Sequence, residues 1–182
     1  RRELRLLVMG GSLGAQALNE VLPDALSLVP QDLRISVKHQ TGPRHADAVR
    51  DSYPASLQAQ IEVLPYIEDM GAVYRWADLV LCRAGALTVA ELAVMGRPAI
   101  LVPLPQAIDN HQAGNAAWLA EQGAARVLPQ AEMSAAVVAD LLSELALDAD
   151  QLAAMAVAAR RAARPRAAES VADVCEEVRR NG

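Results

Sequence analysis

One stretch, residues 79–115, constrains the fold of this chain more than any other. It contains a short apolar run at 79–82, a turn of small residues, a helical pattern that begins at Thr88, and a second apolar run. Gly96 and Pro98 end the helical pattern, as Gly just past a helix and Pro beyond it usually do. The order of strand, tight turn, helix and strand predicts a βαβ unit, and therefore a parallel sheet.

The same alternation extends along most of the chain. Four further apolar runs predict strands, at 4–9, 33–39, 60–64 and 125–128. Strands that alternate with helices predict an α/β fold, a doubly wound, Rossmann-like parallel sheet of about six strands in the common order 3-2-1-4-5-6. Beyond residue 128 the pattern is helical only. Ser134 and Asp150 are the predicted caps of two extra C-terminal helices, and a last helix is predicted at 167–180.

Composition limits the classes of function. The chain has 182 residues and is 53% apolar, which is enough for a sizeable core and predicts one domain over 1–182. Its net charge of −5 argues against nucleic acid as a partner. Cys82 and Cys175 are too few for a disulfide framework and suggest a reducing compartment. No apolar run approaches the roughly 20 residues that span a bilayer, so we expect this domain to be soluble.

Two turns of small residues, 10–14 and 84–86, follow the first and fourth predicted strands. In the predicted strand order these strands are neighbours, so both turns border the crevice where the winding of the chain reverses. Backbone N–H groups at a helix start favour phosphate. The local alternative is a capping box formed by Thr88 and Glu91. The pairing of two such turns at one crevice favours a phosphate-bearing ligand.

The residues around the crevice indicate a nucleoside diphosphate. Neither the Gly-x-Gly-x-x-Gly fingerprint nor a Gly-Lys-Ser/Thr sequence follows the first strand, so a dinucleotide fingerprint and a P-loop are both absent. Glu91, one turn into its helix, could accept hydrogen bonds from both hydroxyls of a ribose. Gln112 and Asn115 could bind sugar hydroxyls, although an Asp helix cap with solvated side chains is the better explanation of this segment taken alone. The Asp-x-Asp at 148–150 fits a helix cap better than a metal site.

Four motifs together resemble the carboxyl-terminal half of the MurG family of bacterial GlcNAc transferases. They are GGSLGA at 10–15, YIEDM at 66–70, RAGALTVAE at 83–91 and DNHQ at 109–112. The resemblance implies one half of a two-domain GT-B glycosyltransferase. Members of that family transfer GlcNAc from UDP-GlcNAc to the undecaprenyl-pyrophosphoryl-MurNAc-pentapeptide, converting lipid I to lipid II in peptidoglycan synthesis. This chain would then be a single UDP-GlcNAc-binding domain.

The resemblance also implies which residues form the donor site. A phosphate loop would comprise Gly10, Gly11 and Gly14. The substrate-binding residues would be Ser12, Ile67, Met70, Arg83, Ala86, Leu87, Thr88, Val89, Ala90, Glu91, Gln112 and Asn115. By this likeness Ile67 contacts uracil through its backbone with Met70 beside it, Glu91 holds the ribose, and Gln112 and Asn115 hold the GlcNAc hydroxyls.

The remaining expectations concern what this chain lacks. It starts at Arg1, which suggests a fragment without the family's amino-terminal acceptor domain. That domain would bind lipid I, supply the base and associate peripherally with the cytoplasmic side of the bacterial inner membrane. No catalytic residue, cofactor or metal is expected in this chain, which would be inactive alone. The alternative is a noncatalytic nucleotide-sugar-binding subunit, similar to the half used by the eukaryotic split GlcNAc transferase.

Overall fold

The computed structural model of this protein describes residues 3–11, 15–105 and 111–163. Six strands alternate with seven α-helices over these ranges. In chain order they are β1 Leu4–Met9, α1 Gln16–Leu28, β2 Ile35–Gln40, α2 Ala46–Ser52, β3 Ile61–Leu64, α3 Met70–Trp76, β4 Leu79–Cys82, α4 Ala86–Met95, β5 Ala99–Leu101, α5 His111–Glu121, β6 Ala125–Val127, α6 Ala135–Leu147 and α7 Ala149–Ala162. The predicted helix at 167–180 and Cys175 lie outside the described residues.

The strands form one six-stranded parallel sheet in the order β3-β2-β1-β4-β5-β6, as predicted. Strand β1 lies at the centre and pairs with β2 through Leu4 and Ile35, and with β4 through Leu6 and Leu79. The chain moves outward in one direction from β1 to β3 and in the other from β4 to β6. The carboxyl ends of β1 and β4 are therefore adjacent at the point where the winding reverses.

Helices cover both faces of the sheet and bury a separate apolar layer on each. Alternate side chains of a strand point to opposite faces, so Leu6 and Val8 of β1 pack in one layer while Leu7 and Met9 pack in the other. Helices α1, α2 and α6 contribute to the first layer, and helices α3, α4 and α5 to the second. Within the described residues, no helix combines the length and the apolar character that crossing a membrane requires.

Two helix starts differ from the sequence-based prediction. Helix α4 begins at Ala86, with Gly85 as its N-cap, and not at Thr88. Helix α7 is capped by Asp148, whose side chain accepts a 2.8 Å hydrogen bond from the Gln151 N–H, and not by Asp150. Because several small or polar residues adjoin each helix start, the local pattern allowed more than one residue to be the N-cap. The predicted cap at Ser134 is confirmed.

Candidate functional site

A cleft of about 1090 Å³ lies beyond the carboxyl ends of β1 and β4. The first glycine turn borders it through Gly10 and Gly11, and the second turn borders it through Gly85. Glu91 lines the same cleft from helix α4. The sheet order thus brings both turns and this carboxylate together, as the sequence predicted. Ser12 and Gly14, the other residues of the first turn that were predicted to bind the ligand, lie outside the described residues.

The first glycine turn is braced by a side chain from the neighbouring strand. The Gly10 N–H donates to Oε1 of Gln40 at 3.2 Å, and Nε2 of Gln40 donates to the Gly11 carbonyl at 2.9 Å. Gly11 adopts a φ of 82°, which favours glycine because it has no Cβ. Since Gln40 already engages the Gly10 N–H, this group is not available to a ligand.

The second turn leads directly into a helix start that has no side-chain cap. Gly85 supplies no capping hydrogen bond, and the first intrahelical bond is donated by the Val89 N–H to the Gly85 carbonyl at 3.0 Å. The N–H groups of Ala86, Leu87 and Thr88 therefore precede the helical ladder. Together with the helix dipole, they make this end of α4 favourable for an anion.

The alternative of a capping box at Thr88 and Glu91 is wrong. Thr88 lies inside the first turn of α4, and the Glu91 carboxylate bonds to a different helix. Its Oε2 accepts a 2.8 Å hydrogen bond from the hydroxyl of Tyr74 in α3. Burial, reinforced by the Glu91 carboxylate, raises the pKa of Tyr74, so its hydroxyl keeps the proton and acts as the donor.

Two residues of helix α5 hold the second turn from the side of β5. Oε1 of Gln112 accepts from the Ala84 N–H at 3.3 Å and from the Leu104 N–H at 2.9 Å. Gln112 lines the cleft, and within the part of the chain that the structure describes its side-chain NH₂ donates to no other residue and could serve a ligand. Nδ2 of Asn115 donates to the Ala84 carbonyl at 3.0 Å, and Asn115 does not line the cleft. Asn115 therefore supports the turn in this structure, unlike its predicted contact with sugar.

Arg83 is the one Lys or Arg among the described residues that line the cleft. Its guanidinium donates to the Val102 carbonyl at 3.3 Å. Burial lowers the pKa of Arg83, although guanidinium groups stay protonated in proteins. Cys82 also borders the cleft, but burial raises the pKa of its thiol to about 12, which keeps it protonated and unreactive.

The structure gathers most of the predicted donor-site residues around this cleft. Those that line it are Gly10, Gly11, Ile67, Met70, Arg83, Thr88, Glu91 and Gln112. Ala86 and Leu87 stand exposed at the start of α4, where only their backbone could serve a phosphate. Val89 is packed in the core, its N–H closes the first helical turn, and it does not line the cleft. Ala90 is exposed on α4 and does not line the cleft.

Gln40 and Tyr74 are site residues that sequence reasoning missed. Both are nearly buried, at 7% and 2% exposed, and both lie at positions where an apolar residue would fit the pattern equally well. The sequence did contain a signal for these two residues, because each has a polar group at a position that the periodicity predicts to be buried. Among residues 3–11, 15–105 and 111–163, no three His, Cys, Asp or Glu side chains are grouped to hold a metal ion.

Comparison with known proteins identifies similar sequences along almost the whole chain. Residues 5–173 match the sequence model of a family described as the glycosyltransferase family 28 C-terminal domain. A protein of Azotobacter vinelandii is 56% identical over 98% of the chain, and one of Stutzerimonas stutzeri is 54% identical over 97%. Both are named UDP-N-acetylglucosamine–N-acetylmuramyl-(pentapeptide) pyrophosphoryl-undecaprenol N-acetylglucosamine transferase. The chain covers 50% and 49% of them, and so spans about half their length.

Comparison with solved structures identifies the fold. The crystal structure of Acinetobacter baumannii MurG superposes on 97% of the chain with a TM-score of 0.86 and 43% identity, and the chain covers 52% of it. Glycosyltransferase VinC in complex with dTDP gives a TM-score of 0.71 over 98% of the chain at 20% identity, with 42% of VinC covered. Because VinC is only 20% identical to the chain, this similarity supports the fold alone. The fold is that of a GT-B glycosyltransferase C-terminal domain.

Proposed function

Because the chain belongs to glycosyltransferase family 28, as the match of residues 5–173 to its C-terminal domain shows, we propose that it binds the donor UDP-GlcNAc. The observation that carries this proposal is the uncapped start of α4 beside Glu91, in the cleft that Gly10 and Gly11 also border. A helix start suits a diphosphate, and a carboxylate further along the same helix suits the two hydroxyls of a ribose. The names of the 56% and 54% identical relatives support UDP-GlcNAc as the donor.

The proposed arrangement of the donor follows from the order of residues along the cleft. The uracil lies against Ile67 and Met70, where the chain enters α3. The ribose hydroxyls donate to Glu91, and the diphosphate accepts from the N–H groups at the start of α4. The NH₂ of Gln112 donates to a hydroxyl of GlcNAc, since its Oε1 is occupied by two backbone N–H groups.

The proposed reaction is an inverting transfer to undecaprenyl-pyrophosphoryl-MurNAc-pentapeptide. A hydroxyl of the acceptor sugar attacks the anomeric carbon of GlcNAc, the bond to the diphosphate breaks, and UDP leaves. Preorganised donors stabilise charge that develops on a leaving group. The start of α4 and the Arg83 guanidinium supply such donors in this cleft, so the proposed mechanism uses no metal ion or cofactor.

We assign the remaining roles to the part of the relatives that this chain does not cover. That part would bind the lipid acceptor, supply the base and associate with the cytoplasmic face of the inner membrane. The comparisons do not favour the alternative of a noncatalytic subunit, because relatives of about twice this length carry the name of the transferase in a single chain. In the proposed scheme this chain holds the donor and contains no catalytic residue.

Titration calorimetry of the 182-residue chain with UDP and UDP-GlcNAc tests the proposal. We expect weak binding of both ligands and no transfer by this chain alone. Glu91→Gln keeps the size of the side chain and is expected to weaken UDP binding about tenfold, because hydrogen bonds to a charged acceptor are lost. Glu20→Gln is the matched control, since Glu20 lines the same cleft from α1 and has no assigned role. An absence of heat at millimolar ligand would refute the proposal.

A further inference from the structure

The two helices that carry the proposed uridine site are joined by one side-chain hydrogen bond. Helix α3 begins at Met70, beside the proposed uracil contact, and helix α4 carries Glu91, the proposed ribose contact. The hydroxyl of Tyr74 in α3 donates to Oε2 of Glu91 in α4 at 2.8 Å. This bond links the base subsite to the sugar subsite within a single cleft.

Tyr74 holds its hydroxyl in a position that the core determines. Its side chain is 2% exposed and packs in the same apolar layer as Leu7 of β1 and Leu92 of α4. A packed aromatic ring occupies one rotamer, because neighbouring side chains leave no space for others. The hydroxyl is therefore a fixed donor at the edge of the cleft, and burial keeps its proton in place by raising the pKa of Tyr74.

The Glu91 side chain is less restrained than that of Tyr74, because it is half-buried and lines the open cleft. A glutamate side chain has several rotatable bonds, and ordering them on binding costs entropy. To accept from two neighbouring ribose hydroxyls, the carboxylate must adopt one orientation. The bond from Tyr74 uses one of about four lone-pair positions on the carboxylate, which leaves enough for both hydroxyls.

We propose that Tyr74 is a positioning residue, which orients the Glu91 carboxylate toward both hydroxyls of a ribose and thereby favours ribonucleotides over nucleotides that lack them. This inference rests on the proposed function, because it assumes that uridine occupies the cleft. Tyr74 lines the cleft but is only 2% exposed, so it would act through Glu91 and not through a contact of its own with the ligand. A purely structural role for Tyr74, in which it only joins α3 to α4, would affect every nucleotide equally.

The test compares UDP with 2′,3′-dideoxy-UDP on the 182-residue chain by titration calorimetry. Tyr74→Phe removes one oxygen, keeps the ring, and leaves a carboxylate that water can reach, so the fold is expected to persist. Tyr53→Phe is the matched control. Tyr53 is also buried, at 3% exposed, and its hydroxyl lies 2.8 Å from Nδ1 of His39, but it does not line the cleft. Thermal unfolding of both variants measures the structural cost of each lost bond.

We expect the unmodified chain to bind UDP about tenfold more tightly than dideoxy-UDP. Tyr74→Phe should weaken UDP binding about fivefold and leave dideoxy-UDP binding unchanged, whereas Tyr53→Phe should change neither. In a Glu91→Ala background, Tyr74→Phe should have no further effect on UDP. If Tyr74→Phe weakened the binding of both ligands equally, or still weakened UDP binding in the Glu91→Ala background, the proposed role of Tyr74 would be overturned. The proposal that the chain binds UDP would stand in either case. Failure of the unmodified chain to bind UDP would instead refute the proposed function, and this inference with it.

Discussion

Lowering the pH from 7 to 4 is expected to destabilise this protein through His39, the penultimate residue of β2. Its ring is fully buried, with Nε2 3.0 Å from Oδ1 of Asn19 and Nδ1 2.8 Å from the hydroxyl of Tyr53. Because an amide oxygen can only accept, Nε2 carries the proton and Nδ1 accepts from Tyr53. A second proton on Nδ1 would remove that acceptor and place an unpaired charge in the core.

The size of this effect follows from the pKa of His39. Burial lowers it from 6.5 to about 4. The difference corresponds to about 3 kcal/mol, at about 1.4 kcal/mol per pH unit. The unfolded chain takes up the proton below about pH 6.5, and the folded chain only near pH 4. The stability that neutral His39 contributes is therefore complete above pH 6.5, falls as the pH drops through this window, and is lost near pH 4.

Urea denaturation between pH 7 and 4.5 measures this loss. His39→Gln retains one donor and one acceptor but does not titrate, so its unfolding free energy should fall less steeply with acid than that of the unmodified chain. The difference in slope should approach about 1.4 kcal/mol per pH unit near the middle of the window. His45→Gln, which replaces a half-buried histidine outside this network, is the matched control. Parallel curves for the His39→Gln variant and the unmodified chain would refute the reasoning.

Two further substitutions test the first glycine turn. Gln40→Met removes both hydrogen bonds to the turn. It should lower the free energy of unfolding, measured in urea, by about 1–3 kcal/mol and should also weaken UDP binding. The control Gln58→Met, at an exposed position, should change the free energy of unfolding by less than about 0.5 kcal/mol. Gly11→Ala forces a side chain to φ 82° and should cost about 1–2 kcal/mol. Gly114→Ala, inside α5 where a Cβ meets no described atom within 4 Å, should add roughly 0.5–1 kcal/mol. Thermal shifts of the same sign for the two glycine variants, or equal stability of the two glutamine variants, would contradict these arguments.

The order of the strands and the position of the cleft were predictable because they follow from periodicity. Buried parallel strands give short apolar runs, and their alternation with helices leaves few topologies. This strand order places the turns after β1 and β4 at one edge of the sheet. The residue at which a helix begins was less predictable. Ala86 and Asp148 begin or cap helices where Thr88 and Asp150 satisfy the same local rules.

The sequence by itself determined the α/β class, the strand order and the family, since local periods and turn residues carry that information. Only the tertiary structure decided which polar groups are already engaged. Gln40 reaches a glycine turn 30 positions earlier in the chain, and Tyr74 reaches a carboxylate 17 positions later. Such partners depend on how separate elements pack against one another. A hydrogen bond has strict limits on distance and angle, and no local pattern encodes them across elements.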